Sequence, residues 1–168
     1  YCGYKIIPIN QCPQCANGKL TTKNFGTEKV EEDLERIFPK LRIGRMDTDS
    51  VRTKTKQQNL LKDFEMGRID ILIGTQMIVK GLDFENVGMV GVLSADNLLS
   101  YPDFRVNERA YQLMEQVSGR AGRVDGKGKV YIQARNITHP TLSYVQQHDY
   151  KTFYLNEIQY RKDFAYPP

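Results

Sequence analysis

The sequence predicts an α/β fold in which a mostly parallel, doubly wound sheet carries helices on both faces. Strand-like apolar runs alternate with helical patterns along the chain, which implies right-handed crossovers between parallel strands. Residues 69–73 form a near-continuous apolar run, typical of a strand that is buried on both faces. With 168 residues, 40% of them hydrophobic, the chain is long enough to bury one good core.

The first two helices are marked by their ends and by their apolar faces. The first is predicted to begin with Thr27 as its N-cap and to end at Pro39, which cannot continue a helix. Its apolar face, at helical spacing, comprises Val30, Leu34, Ile37 and Phe38. The second begins near Thr53 and stops at Gly67. Its inward residues are Leu60, Leu61 and Phe64.

The remaining elements follow from the same two periodicities. Strands are predicted at residues 41–46, 69–73, 87–93 and 130–134. The strongest helical pattern covers residues 106–117, with a stripe of Val106, Ala110, Leu113, Met114 and Val117. Residues 141–164 are also helical in pattern and rich in tyrosine. Tyr144, Tyr150, Tyr154 and Tyr160 offer bases a surface for stacking, but helix packing is the favoured interpretation at this spacing.

The charge balance is mildly basic. Lys and Arg number 24 against 20 Asp and Glu, a formal net charge of +4, which is compatible with a polyanionic partner without requiring one. No apolar run approaches the roughly 18 residues of a membrane span. Because the chain begins with Tyr1 rather than Met, we expect it to be a fragment.

Three cysteines lie near the N-terminus: Cys2, Cys12 and Cys15. The spacing of Cys12 and Cys15 is typical of a zinc knuckle, but tetrahedral zinc takes four ligands and this segment supplies three. We therefore expect a zinc ribbon truncated at the start of the chain. Free cysteines are the alternative, and a disulfide between Cys12 and Cys15 is a less favoured one.

Residues 116–123 carry the clearest chemical signal. Arg120 and Arg123 each follow a glycine at the end of an amphipathic helix. A guanidinium keeps its charge near neutral pH and can face the negative charge of a transferring phosphoryl group. Gly119 and Gly122 let the backbone approach a ligand closely. Cations at a helix C-terminus are the structural alternative, which explains one arginine but neither the paired glycines nor Gln116.

A second polar segment, residues 74–84, directly follows the buried strand at residues 69–73. Ligands of parallel sheets bind beyond the carboxyl ends of the strands. We therefore expect this segment and residues 116–123 to lie at one rim of the sheet. Asp47 and Asp49 could pass for a metal pair, but a turn and helix cap is the favoured interpretation of that short stretch.

These two segments resemble motifs of a known enzyme class. Residues 74–84 resemble motif V of superfamily 2 helicases, and residues 116–123 resemble motif VI. Residues 26–28, 45–47, 102–105 and 166–168 are similar to the primosomal protein N′ family, the PriA-type replication-restart helicases of bacteria. A zinc knuckle just before the second motor lobe is also typical of that family. The resemblance extends over essentially the whole chain.

The resemblance implies that the chain is a second RecA-like lobe, with ATP and Mg²⁺ bound in the cleft between two lobes. Arg120 and Arg123 would contact the γ-phosphate, Arg123 as the arginine finger, and Gln116 would position phosphate or water. Gly119 and Gly122 would allow the close approach. Gly81 and Asp83 would lie near the ribose or the lobe interface.

The same resemblance implies nucleic-acid contacts and partners. Thr75, Gln76 and Lys80 would face a nucleic-acid backbone, and Thr27, at a helix N-terminus, would add a phosphate contact. Cys2, Cys12 and Cys15 would be the Zn²⁺ ligands. The expected partners are forked or single-stranded DNA, the preceding RecA-like lobe, and primosome and single-strand-binding proteins, in the bacterial cytoplasm at the nucleoid, with no membrane.

The phosphate-binding half of such a motor is missing from the sequence. No segment fits the G-x-x-x-x-G-K-[ST] P-loop, and no acidic cluster resembles a magnesium-binding Walker B box. We therefore expect this chain alone to have no ATPase activity. The predicted organisation is a partial zinc knuckle at residues 1–22, the helicase lobe at 23–138 and a helical segment at 139–168 leading into a following domain.

Two alternatives remain open from the sequence. One is a zinc-ribbon module on a RecA-like scaffold that binds nucleic acid and hydrolyses nothing, which the absent P-loop allows. The other is a different superfamily 2 enzyme that remodels nucleic acid, which motifs V and VI alone do not exclude.

Overall fold

The computed structural model describes residues 14, 26–47, 51, 53–76, 78, 87–119, 121 and 128–167. The elements in these residues, in chain order, are α1 (Thr27–Ile37), β1 (Ile43–Met46), α2 (Lys54–Glu65), β2 (Ile71–Gly74), β3 (Met89–Val92), α3 (Ala95–Leu99), α4 (Val106–Ser118), β4 (Lys129–Ile132), α5 (Pro140–Gln147) and α6 (Tyr150–Asp163). All four predicted strands are present near their predicted positions. The expected α/β class is therefore confirmed.

The strands form two parallel pairs. β1 pairs with β2, with Ile43 opposite Ile71, and β3 pairs with β4, with Met89 opposite Lys129. Within the described residues, no strand pairing joins the two pairs. The parallel direction agrees with the sequence prediction, whereas a single doubly wound sheet remains a prediction.

α1 and α2 pack against the first strand pair, and a glycine allows the close packing of α2. A Cβ at Gly44 of β1 would lie 2.9 Å from a side-chain carbon of Ile69 and 3.1 Å from one of Leu60 on α2. The predicted apolar face of α1 is only partly used: Val30 and Leu34 are half-buried, but Ile37 and Phe38 are exposed. Those two residues are the last residue and the C-cap of the helix, so helical spacing alone overestimated their burial.

The start of α1 differs from the prediction by one residue, while α2 starts as predicted. Gly26, not Thr27, is the N-cap of α1, and Thr27 is its first helical residue. The Thr27 hydroxyl donates to a carboxylate instead of capping the helix. Thr53 is the N-cap of α2, where its side chain accepts a hydrogen bond from the amide of Lys56.

The main hydrophobic core lies beside the second strand pair, around α4. Its buried members come from four helices and comprise Ala95, Ala110, Tyr111, Met114, Val145 and Phe153. Val92 of β3 and Ile132 of β4 pack against this cluster, and the rings of Tyr111 and Phe153 stack with their centroids 4.2 Å apart. The helical stripe predicted for α4 thus supplies the centre of the core.

The C-terminal segment is helical as predicted and consists of two helices, α5 and α6. The break is at His148, which ends α5 in the left-handed conformation with φ of 54°. Asp149 then caps α6, because its side chain accepts a hydrogen bond from the amide of Thr152. The packing interpretation of the tyrosines holds for half-buried Tyr144, whose hydroxyl accepts from Asn156 at 2.7 Å, whereas Tyr150, Tyr154 and Tyr160 are exposed.

Candidate functional site

The carboxyl end of β2 presents two of the predicted nucleic-acid residues. Thr75 and Gln76 directly follow β2, and both are exposed. A turn holds this end, since the amide of Ile78 donates to the carbonyl of Thr75 at 3.1 Å. An added Cβ at Gly74 would collide with the side chain of Ile78 and with the carbonyl oxygen of Met46 on β1. Local packing therefore requires glycine at the end of β2 and fixes where Thr75 begins.

The carboxyl end of β1 is tied to the first turn of α1 by a network of charges. Asp47 is only 6% exposed, accepts from the Thr27 hydroxyl, and pairs with the guanidinium of Arg45 at 2.6 Å. The Nε of Arg45 lies 2.7 Å from the Glu31 carboxylate on α1. Burial acts to lower the pKa of Arg45, but the carboxylates of Asp47 and Glu31 outweigh it and raise that pKa. This network fixes the start of α1 beside the end of β1.

The same network limits what Thr27 can do. A hydroxyl has one proton, and that of Thr27 is donated to Asp47. The hydroxyl therefore cannot donate to a phosphate in this arrangement. The N-cap of α1 is Gly26, which brings no capping side chain, so the donors at this end are the backbone amides of the first turn.

The carboxyl end of α4 presents Gln116 and Gly119. Gln116 is exposed, while its neighbour Val117 and, two residues before it, Met114 are buried. Gly119 is the C-cap, and its amide donates to the carbonyl of Glu115 at 2.9 Å. The backbone of Gly119 has φ of −68°, and an added Cβ would lie 3.5 Å from the carbonyl oxygen of Glu115, an ordinary van der Waals contact. Neither local conformation nor packing requires glycine here.

The last turn of α4 is supported from α5. The Nδ1 atom of His148 lies 3.1 Å from both carboxylate oxygens of Glu115. Burial raises the pKa of the Tyr111 hydroxyl, and the neighbouring Glu115 adds to that shift. No local pattern predicts the contact between His148 and Glu115, because the two residues are 33 positions apart.

The residues just before α4 contact the start of the helix and pack against the C-terminal end of the chain. The Asp103 carboxylate accepts from the amide of Arg105 at 2.9 Å and pairs with Arg109 at 2.6 Å. The hydrogen bond from the Arg105 amide is the main reason that the pKa of Asp103 is lowered. Phe104 stacks on the ring of Tyr166, with centroids 5.4 Å apart.

Nine of the predicted site residues lie outside the described residues: Cys2, Cys12, Cys15, Lys80, Gly81, Asp83, Arg120, Gly122 and Arg123. Those that are described fall into two groups. Thr27, Thr75 and Gln76 lie around the first strand pair, while Gln116 and Gly119 lie at the end of the helix that forms the core beside the second pair. Asp49 of the suggested metal pair also lies outside, and Asp47 forms an ion pair with Arg45.

Within the described residues, no group of three or more His, Cys, Asp or Glu side chains could hold a metal ion. The same part of the chain contains no helix long and apolar enough to cross a lipid bilayer.

Comparison of the sequence with models of protein families identifies the family of this chain. Residues 19–125 match the family model of the helicase conserved C-terminal domain. The chain belongs to that family. The match runs from before α1 to just beyond the end of α4, so it includes β1, β2 and β3 but not β4, and it includes the segments at residues 74–84 and 116–123.

Individual relatives add a narrower similarity. Over its full length the chain is 46% identical to the replication restart protein PriA of Bacillus subtilis, 43% to that of Treponema pallidum and 42% to that of a Synechocystis strain. The chain spans only 21%, 25% and 20% of those relatives, respectively. The similarity to PriA-type proteins predicted from the sequence is confirmed.

Proposed function

We propose that the chain is the second motor lobe of an ATP-dependent 3′-to-5′ DNA helicase that acts in replication restart and primosome assembly. The observation that carries the proposal is the similarity over the full chain to restart proteins of several bacteria. The helicase family match supports the motor role, but the whole-chain similarity favours restart over other nucleic-acid remodelling. A zinc module that hydrolyses nothing finds no comparable support.

The ATP site in this proposal lies between this lobe and a preceding one. Arg120 and Arg123 contribute positive charge opposite the phosphoryl group, with Arg123 as the finger, and exposed Gln116 positions phosphate or water. Gly119 and Gly122 leave room for the approach of the nucleotide. Gly81 and Asp83 contact the ribose or the lobe interface.

The cofactor of this site is ATP with Mg²⁺, which neutralises charge on the transferring phosphates. The residues present fit only part of it, since the sequence supplies arginines and glycines but neither a P-loop nor a Walker B cluster. The preceding lobe therefore holds the metal, and the lobe described here supplies charge and closes the cleft.

The nucleic-acid contacts in this proposal lie around the first strand pair. Thr75 and Gln76 are exposed after β2, and Lys80 continues the same segment. Thr27 contributes through its backbone amide and not through its hydroxyl, because the hydroxyl proton is donated to Asp47. The partners of the whole protein are DNA, the preceding lobe, and primosome and single-strand-binding proteins.

Zinc remains a proposal based on donor chemistry. The thiolates of Cys2, Cys12 and Cys15 are ligands that Zn²⁺ prefers, and a tetrahedral site needs a fourth. Elemental analysis of the full-length protein should find bound zinc that is lost when these cysteines are replaced by serine. Zinc content that survives the replacement would contradict their role.

The proposed function is tested by unwinding with the full-length protein. Duplexes that carry a 3′ single-stranded tail, a 5′ tail or blunt ends are offered with and without ATP, and chelation of Mg²⁺ serves as the control. We expect strand separation of the 3′-tailed duplex that requires ATP and Mg²⁺. Separation that proceeds equally without ATP, or only from the 5′ tail, would contradict the proposal.

A further inference from the structure

Four aromatic rings, three of them exposed and one half-buried, form a cluster where α6 ends beside the start of α4. We define this aromatic cluster as Phe104, Tyr160, Phe164 and Tyr166. Successive ring centroids are 4.8 Å apart for Tyr160 and Phe164, 6.2 Å for Phe164 and Tyr166, and 5.4 Å for Tyr166 and Phe104. Tyr160, Phe164 and Tyr166 are 44%, 60% and 42% exposed. Contiguous exposed apolar surface is uncommon on soluble proteins, and where it occurs it often marks an interaction site.

The cluster is built on fixed elements. Arg161, only 6% exposed, lies beneath it, with its guanidinium 2.5 Å from Glu108 of α4 and 3.4 Å from Glu157 of α6. The same guanidinium lies 5.4 Å from the centre of the Phe104 ring. A partly buried ion pair between Arg161 and Glu108 therefore joins α6 to α4 under the rings, and the exposed surface is held in shape before any partner binds.

The charges around the cluster are balanced. Arg105, over the Phe104 ring, and Arg109 lie 3.9 Å and 2.6 Å from the Asp103 carboxylate. Arg161 pairs with Glu108 and Glu157, and exposed Lys162 is followed in sequence by Asp163, so the four cations are matched by four carboxylates. Binding to a nucleic-acid backbone depends on cations that neutralise phosphates. A charge-balanced aromatic surface instead has the composition of a protein interface, in which aromatic residues are enriched.

The position of the cluster along the chain indicates where the partner comes from. The helicase family match ends at residue 125, so α5, α6 and most of the cluster lie beyond it, while the restart relatives match the whole chain. The chain spans about a fifth of the Bacillus subtilis relative, at 21%. The relative is about five times as long as this chain, which leaves room in it for several further domains.

We infer that the aromatic cluster is a docking surface for an apolar face of another domain of the same polypeptide. The occupant covers Tyr160, Phe164 and Tyr166 and fixes the motor lobe relative to that domain. This role is separate from ATP hydrolysis and from the nucleic-acid contacts proposed above.

Acetylation of tyrosines by N-acetylimidazole in the full-length protein tests this inference. The reaction is carried out without DNA, and mass spectrometry gives the acetylation rate of each tyrosine. Each rate is divided by the rate of the same tyrosine in urea-denatured protein. The exposure in the lobe alone predicts rates close to those of denatured protein. Docking predicts that Tyr160 and Tyr166 react slower by about tenfold or more, because modification must wait for a local opening.

A matched pair of variants sharpens the result. Phe164→Asp should restore fast acetylation at Tyr160 and Tyr166, whereas Ile137→Asp, which changes an even more exposed apolar residue outside the cluster, should not. Fast acetylation of the unaltered protein would overturn the inference, as would protection that survives Phe164→Asp. Protection that appears only with single-stranded DNA, or only at high protein concentration, would also overturn it in favour of nucleic acid or a second copy.

Discussion

Two glycines of the candidate site serve different purposes. At Gly74 a Cβ would collide with Ile78 and with the backbone of Met46, so the fold itself requires glycine there. At Gly119 the backbone is in the right-handed helical region, and an added Cβ would make only ordinary contacts. In our proposal the space at Gly119 is used by the nucleotide.

Replacing each glycine by alanine separates these purposes. Gly74→Ala should destabilise the protein by about 1–3 kcal/mol through overpacking. Gly119→Ala should leave stability unchanged or slightly higher, because alanine favours helical backbone, yet it should lower ATP turnover of the full-length protein. Urea unfolding and turnover assays measure the two effects. A Gly119→Ala protein with normal turnover would contradict the proposed approach of the nucleotide.

Sequence reasoning missed the site residues whose roles depend on a contact with a residue distant in the sequence. The exposure of Gln116 follows from the helical periodicity of α4. The exposure of Thr75 and Gln76 follows from their places directly after a strand. The role of Asp47 does not, because its partner Thr27 lies 20 positions away. The sequence favoured a turn or cap for Asp47, and nothing local signals a buried acceptor.

At the scale of elements, one clip joins the starts of β1 and β2. The Asp70 carboxylate accepts from the backbone amide of Arg42 at 2.7 Å and from its Nε at 2.9 Å. The second terminal nitrogen of Arg42 also donates to the carbonyl of Gly67 at 2.6 Å. These hydrogen bonds from Arg42 lower the pKa of Asp70 from 3.8 to about 2.

The clip predicts a dependence of stability on acid. The pKa of Asp70 is lower in the folded protein, so the clip contributes fully above the ordinary pKa of 3.8 and is lost as the pH falls toward about 2. Asp70→Asn should therefore flatten the fall of the free energy of unfolding between these pH values. Asp63→Asn, which removes a surface pair with Arg68, is the matched control. An unchanged pH profile in Asp70→Asn would count against the clip.

Element positions were predictable, but ends and short elements were not. Long periodic stripes located α4, and apolar runs located all four strands. The five-residue α3 is shorter than two turns and leaves no periodic signal. The break between α5 and α6 depends on a left-handed His148, a conformation that histidine seldom adopts and that its sequence neighbours do not announce.

At the scale of the whole molecule, stability depends mainly on the core around α4. Met114 is fully buried in that core, whereas α1 and α2 contain no buried residue. The second half of the chain therefore supplies the rigid support for the end of α4, from which residues 120–123 continue.

Two methionine-to-alanine substitutions test whether stability depends mainly on the core around α4. Met114→Ala should cost about 2–5 kcal/mol, because it removes a buried side chain and leaves a cavity. Met89→Ala, at a residue that is 66% exposed, should cost no more than about 0.5 kcal/mol. Urea unfolding of both variants provides the comparison, and equal losses would show that the core lies elsewhere.

The central claim is that this lobe completes an ATP site with its arginines. Its most direct test is DNA-stimulated ATP turnover by the full-length protein carrying Arg123→Ala, with Arg68→Ala, an exposed arginine of the loop after α2, as the control. We predict that Arg123→Ala lowers turnover by about three to five orders of magnitude, that DNA binding persists and that the control is active. Normal turnover by Arg123→Ala would contradict the claim.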